Sequence, residues 1–112
     1  MMANYKIDRI CEDLKREITD ILHIIKDPRV SNQILTIVNI SLTRDMSFAK
    51  IYVSSLDGLS GANRAVEGLK SAKGLIKKEI GLRLKIRKIP ELEFVVDNSV
   101  ENTINMFKKL EK

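Results

Sequence analysis

Apolar side chains recur early in the chain at Ile7, Ile10, Cys11, Leu14, Ile18, Ile21, Leu22 and Ile25. Steps of one, three and four residues trace a single stripe, which predicts an amphipathic helix about 30 Å long for about 20 residues. Asn4 is placed to cap it, and Asp8 in the first turn suits the helix dipole. Pro28 is expected to end it, because a proline ring pushes the preceding residue, here Asp27, out of helical space. Glu12 and Arg16, four apart, are expected to pair on the wet side.

The period then changes. Residues 34–43 are rich in β-branched side chains, with Ile34, Val38, Ile40 and Leu42 on one parity and Asn39, Ser41 and Thr43 on the other. Arg44 to Ser47 supply a turn, and 48–56 read as the returning strand, with Ala49, Ile51 and Val53 inward and Lys50, Tyr52 and Ser54 outward. The pair is a predicted β-hairpin. After a loop over Asp57–Gly61, helical spacing resumes at Ala62, Ala65, Val66, Leu69 and Ala72. Gly74 interrupts it, so Ala72 and Gly74 mark a kink. Leu75, Ile76 and Ile80 continue a helical face, and Gly81 stands where a left-handed residue closes a helix.

From 82 to 97 the even positions Leu82, Leu84, Ile86, Leu92, Phe94 and Val96 are apolar, while Arg83, Lys85, Arg87, Glu91 and Glu93 fill odd ones. That alternation predicts a strand, broken, bulged or at an edge near Pro90, which lacks an N–H. Ser99 is expected to cap a short last helix carrying Val100, Ile104, Phe107 and Leu110. The order α-β-β-α-(kink)-α-β plus a C-terminal helix defines an α+β fold with helices on one face of a three-stranded sheet. At 112 residues the chain has room for one domain, spanning 1–112, and one core.

Charge changes the picture most. The net charge is +5, and Lys70, Lys73, Lys77, Lys78, Arg83, Lys85, Arg87 and Lys88 crowd into residues 70–88 against Glu79 alone. A concentrated positive field attracts polyanions, nucleic acid foremost, and speeds their capture. A single cysteine excludes an internal disulfide and a Cys-rich zinc site, and fits a reducing, cytoplasmic compartment. With one histidine, Ser-His and Cys-His catalytic arrangements have almost no raw material. No secretory signal or membrane-length apolar run is visible, and no paired-carboxylate, Walker-type or Rossmann pattern stands out, so neither a metal site nor a cofactor is expected.

Four pieces in order resemble the ribosome-binding factor A family over nearly the whole chain. They are Lys26-Asp27-Pro28-Arg29 after the first helix, Ala49-Lys50-Ile51-Tyr52-Val53-Ser54 in the second strand, Ala72-Lys73-Gly74 in the interrupted helix, and Pro90-Glu91-Leu92-Glu93-Phe94 followed by Asp97-Asn98-Ser99. The resemblance implies a single KH-like domain of type II topology that binds the free, immature 30S subunit and its 16S rRNA near the 5′-terminal helix. It further implies a role in late 30S maturation and rRNA processing, and a monomeric, cytoplasmic, non-enzymatic factor that leaves 50S subunits, 70S ribosomes and membranes alone. Ordinary KH modules clamp single strands with a Gly-x-x-Gly loop between two helices. Here that place reads Ala72-Lys73-Gly74, and Gly58-Leu59-Ser60-Gly61 lies between a strand and a helix, where it reads as a connecting loop.

The RNA-contact expectation therefore falls on Lys70, Lys73, Lys77, Lys78, Arg83, Lys85, Arg87 and Lys88, with the last strand presenting Arg83, Lys85 and Arg87 on one face. For Arg29 and Arg44, a phosphate contact is as open as an ordinary exposed arginine or a local ion pair. Cys11 reads as a buried small hydrophobe on the helix stripe and not as a reactive thiol, and His23 as a rim or surface side chain. Two rivals remain at this level: a protein-interaction or dimerisation module indifferent to RNA, and a small nuclease, which the single carboxylate in the basic segment disfavours.

Overall fold

The structure is a computed structural model that describes residues 5–97. Asn4 and the expected last helix at Ser99, Val100, Ile104, Phe107 and Leu110 lie outside the described residues. The elements in chain order are α1 (Tyr5–Leu22), α2 (Pro28–Ser31), β1 (Leu35–Leu42), β2 (Phe48–Ser55), α3 (Gly58–Ser71), α4 (Lys73–Arg83) and β3 (Glu91–Val96). The sheet runs β1-β2-β3, with β1 antiparallel and β3 parallel to the central β2. The α+β class and the three-stranded sheet are as expected.

The α1 stripe is the spine of the core. Leu14, Ile18 and Ile21 are fully buried, each contributing about 1.5–3 kcal/mol by leaving water. They meet Ala49, Ile51 and Val53 of β2, Leu92 and Phe94 of β3, and Leu69, Ile76 and Ile80 of the helix pair in one hydrophobic cluster. On the opposite face of the sheet Lys50 and Glu93 are exposed and lie side by side in the β2–β3 register.

Several boundaries differ from the sequence expectation. Helix α1 ends at Leu22, five residues before Asp27, and Pro28 opens a helix of its own instead of merely closing the first. Asp27 caps that short turn, its carboxylate accepting from the Arg29 N–H at 2.9 Å, which the ring of Pro28 at the first helical position suits. Arg16 pairs with Asp13 and Glu17, not with Glu12. In β1 the register passes from Ile37↔Val53 to Asn39↔Tyr52, leaving Val38 as a bulge. The extra residue switches parity, so Ile37 and Ile40 are buried while Val38 and Ile34 are exposed. The predicted strand from Leu82 begins only at Glu91: Leu82 and Arg83 finish α4, and 84–90 form an irregular connection. Gly81 is inside α4 and is not a left-handed cap. A Cβ there would come within 3.0 Å of Ile89 Cδ1, so its hydrogen lets the connection fold back against the helix.

The break between α3 and α4 falls at Ala72, whose φ of −93° and ψ of 7° leave helical space. Its N–H donates to the carbonyls of Gly68 and Leu69, closing α3, and its carbonyl accepts from Ile76 N–H at 3.0 Å, opening α4. Gly74 has nothing within 4 Å of where a Cβ would stand, whereas at Gly68 a Cβ would meet the buried Val30 at 2.8 Å. Gly74→Ala is therefore expected to raise stability by up to about 1 kcal/mol. Gly68→Ala should lower it by about 1–3 kcal/mol by levering α2 off α3. Urea unfolding of the two variants checks both signs.

Candidate nucleic-acid interface

The parallel pairing of β3 with β2 positions the basic segment. Phe48 and Glu91 are register partners, so β3 must start at the hairpin-turn end of β2, and Glu91 N–H donates to Ser47 C=O at 2.9 Å. The connection 84–90 is thereby carried to the β1–β2 turn and to the first turns of α1. There Lys85, Ile86, Arg87 and Lys88 line a groove of about 490 Å³ together with Lys6, Arg9, Ile10, Asp13, Asp45 and Met46.

The turn that forms one wall is cross-linked by its own hydrogen bonds. The Asp45 carboxylate accepts from Thr43 Oγ1 at 2.8 Å, Ser47 Oγ at 2.7 Å and Ser47 N–H at 3.1 Å. These bonds, led by the Ser47 and Thr43 hydroxyls and helped by the charge of Lys88, hold the Asp45 pKa down at about 2. The other groove carboxylate, Asp13, is engaged by Arg16 at 3.3 Å. Among the described residues, none of Lys6, Arg9, Lys85, Arg87 and Lys88 forms an ion pair.

The other half of the basic stretch is answered internally. Glu91 takes Lys73 Nζ at 3.5 Å and Lys77 Nζ at 3.2 Å, one on each carboxylate oxygen, and the two lysines lower its pKa, Lys77 most. Lys73 and Lys77 thus share a helical face as their spacing predicts. Arg83 lies between Glu79 at 3.3 Å and Glu17 at 3.7 Å, and Lys70 lies 3.7 Å from Glu67. Arg83 is at the end of α4, so the expected strand face of Arg83, Lys85 and Arg87 does not exist. The eight expected residues therefore separate into Lys70, Lys73, Lys77 and Arg83, which are paired, and Lys78, Lys85, Arg87 and Lys88, which are exposed without ion pairs among the described residues.

Sequence reasoning missed Lys6 and Arg9. Their three-residue spacing places them on one side of α1, but the acidic neighbours in the same helix hide them in any count along the chain. Arg29 is a local ion pair: its guanidinium is 2.7 Å from the Asp27 carboxylate and donates to Ser71 Oγ at 3.2 Å. Arg44 is exposed outside the groove, His23 is exposed, and Cys11 is half-buried, with its thiol pKa pushed up by burial and by Asp8. The Gly58–Gly61 stretch is the first turn of α3, not a loop. Gly58 has φ +85°, and a Cβ on Gly61 would strike Asp57 at 2.6 Å and Gln33 at 2.7 Å, so both glycines serve the fold. Among the described residues no three His, Cys, Asp or Glu side chains gather as a metal ion would need, and no helix is long and apolar enough to cross a membrane.

A mixed three-stranded sheet backed by helices in the order α-α-β-β-α-α-β, with a groove lined by cations at one end, defines a KH-like α+β domain. The chain belongs to the ribosome-binding factor A family, whose model matches residues 6–110. Ribosome-binding factor A of Acetivibrio thermocellus is 44% identical over 97 residues, covering 86% of this chain and 78% of that protein. The crystal structure of ribosome-binding factor A from Thermus thermophilus superposes with a TM-score of 0.71 at 25% identity, over 82% of this chain and 96% of that one. A homology model of the Thermus thermophilus protein fitted into the cryo-EM map of a 30S complex matches with a TM-score of 0.64 at 26% identity, over 79% and 91% of the two chains.

The Asp45 hydrogen bonds make a pH prediction. Its folded pKa of about 2 lies below the ordinary 3.8, so its contribution is complete above about pH 4 and is lost as pH falls through about 2. Asp45→Asn should lower the melting temperature at pH 7, and the gap to the parent protein should shrink as pH is taken from 4 to about 2. Thermal melts across that range check it.

Proposed function

We propose that this ribosome-binding factor is a non-catalytic assembly factor that docks on the free, immature 30S subunit by neutralising 16S rRNA phosphates. In this reading it assists late 30S maturation and rRNA processing around the 5′-terminal helix. It acts as a cytoplasmic monomer and does not engage 50S subunits, 70S ribosomes or membranes. The observation that carries the reading is the groove rim, where five cations stand together without a carboxylate of the chain's own claiming any of them in an ion pair among the described residues. Membership of a ribosome-binding family and the Thermus thermophilus relative fitted to a 30S complex support the choice of partner.

The basic surface divides by strength. Lys85, Arg87 and Lys88, joined by Lys6 and Arg9, are the principal phosphate contacts, with Lys78 of α4 adding to them. Lys70, Lys73, Lys77 and Arg83 contribute less, because a phosphate must first displace Glu67, Glu91, Glu79 or Glu17. Phosphate contacts give affinity and orientation with little sequence information, so the shape of the folded RNA selects the site. Binding then favours one rRNA arrangement over others and shifts populations without making or breaking bonds.

Co-sedimentation with separated 30S, 50S and 70S particles over a salt series tests this. Five phosphate contacts give a log–log slope of affinity against salt of about −3.5 to −4.5. Changing Lys85, Arg87 and Lys88 together to Gln should make that slope shallower by about 2–3. Changing Lys73 and Lys77 to Gln should move it by less. A slope near zero, or equal pelleting with 50S subunits, refutes the reading.

A further inference from the structure

The groove has a feature that phosphate neutralisation does not need: an apolar floor. Ile10 of α1, Ile86 of the connection and Met46 of the hairpin turn are each half-buried between the cations. A volume of about 490 Å³ falls in the range of small-ligand sites, which run from about 300 to 1,000 Å³. Duplex backbone presents only sugar and phosphate to a protein and gains little from such a floor.

Met46 is the second observation. Its φ is +61°, and it alone among the described non-glycine residues has a positive φ. Glycine or asparagine occupies that conformation at lower cost, so a methionine there is strained. The turn holds it in place through the Asp45 hydrogen bonds and Met46 N–H donating to Thr43 C=O at 2.9 Å. What the strain maintains is a thioether side chain lining the groove.

We infer that the groove seats one unpaired nucleotide of the RNA, its base on Ile10, Met46 and Ile86 and its flanking phosphates on the rim cations. The inference rests on the RNA-binding reading and names the part of the RNA that enters. The flat face of any base is apolar, methionine sulfur packs well against aromatic rings, and Arg9 and Arg87 offer planar guanidinium groups for stacking. The surplus of cations over the two carboxylates, both already hydrogen-bonded, selects a polyanion over an acidic-and-apolar mixture.

Fluorescence anisotropy of the whole chain with two labelled RNA hairpins tests it, one carrying a single bulged nucleotide and the other the same stem without it. The bulge should strengthen binding by at least about fivefold. Met46→Gly should remove that preference while leaving the salt slope, and a melting temperature equal to or above the parent's, intact. Equal affinity for both hairpins, with Lys85, Arg87 and Lys88 changed to Gln weakening both, overturns the nucleotide seat and leaves the RNA-binding reading standing. Binding of neither hairpin, with the Gln variant still pelleting with 30S subunits like the parent, overturns both. Tighter binding of hexaglutamate than of either hairpin makes the groove a peptide site and overturns the inference.

Discussion

The parallel pairing of β3 with β2 is the constraint on which the rest of the structure depends. A parallel neighbour cannot be reached by a tight turn, so the chain has to cross back over the sheet, here through α3 and α4. The crossover covers the inward face with Leu69, Ile76 and Ile80 and completes the core around α1. Its last leg, 84–90, must return to the end of the sheet where β2 begins. The hairpin turn and the start of α1 meet at that end, so one topological requirement both closes the core and assembles the groove.

Electrostatics then sorts the side chains that this path delivers. Where the crossover runs beside other elements, its cations find carboxylates: Glu91 at the start of β3 for Lys73 and Lys77, and Glu17 of α1 with Glu79 for Arg83. These are exposed or half-exposed pairs, individually worth little to stability but sufficient to cancel local field. On the return leg the nearby carboxylates are held elsewhere, Asp45 by its own turn and Asp13 by Arg16, and among the described residues Lys85, Arg87 and Lys88 form no ion pair, Lys88 acting on Asp45 only through its charge. The fold thus divides the basic stretch, leaving Lys85, Arg87 and Lys88 at the groove and adding Lys6 and Arg9 from the far end of the chain.

Much of the fold was legible from periodicity. The α1 stripe and the alternation of Ala49, Ile51 and Val53 follow from local sequence and survive in three dimensions, whereas the break expected at Gly74 falls at Ala72 and Gly74 lies inside α4. The failures have physical causes. Val38 looks like a core residue by parity, yet a bulge turns it outward and Ile37 inward, and a bulge leaves no simple mark in a β-branched run. Leu82, Leu84 and Ile86 alternate like a strand, but Leu82 closes α4 and the other two belong to an irregular connection. The candidate site was half legible: the basic run was visible, but which members are paired depends on Glu17, Glu67 and Glu91, and the place of Lys6 and Arg9 in the groove depends on residues about eighty positions away along the chain.

Lysine-selective acetylation of the protein free and bound to 30S subunits, read residue by residue by mass spectrometry, tests the central claim most directly. Protection of Lys6, Lys85 and Lys88 together, with Lys70, Lys73 and Lys77 little changed, is the predicted result. Protection confined to Lys70, Lys73 and Lys77, with the groove lysines as reactive as in the free protein, would contradict it.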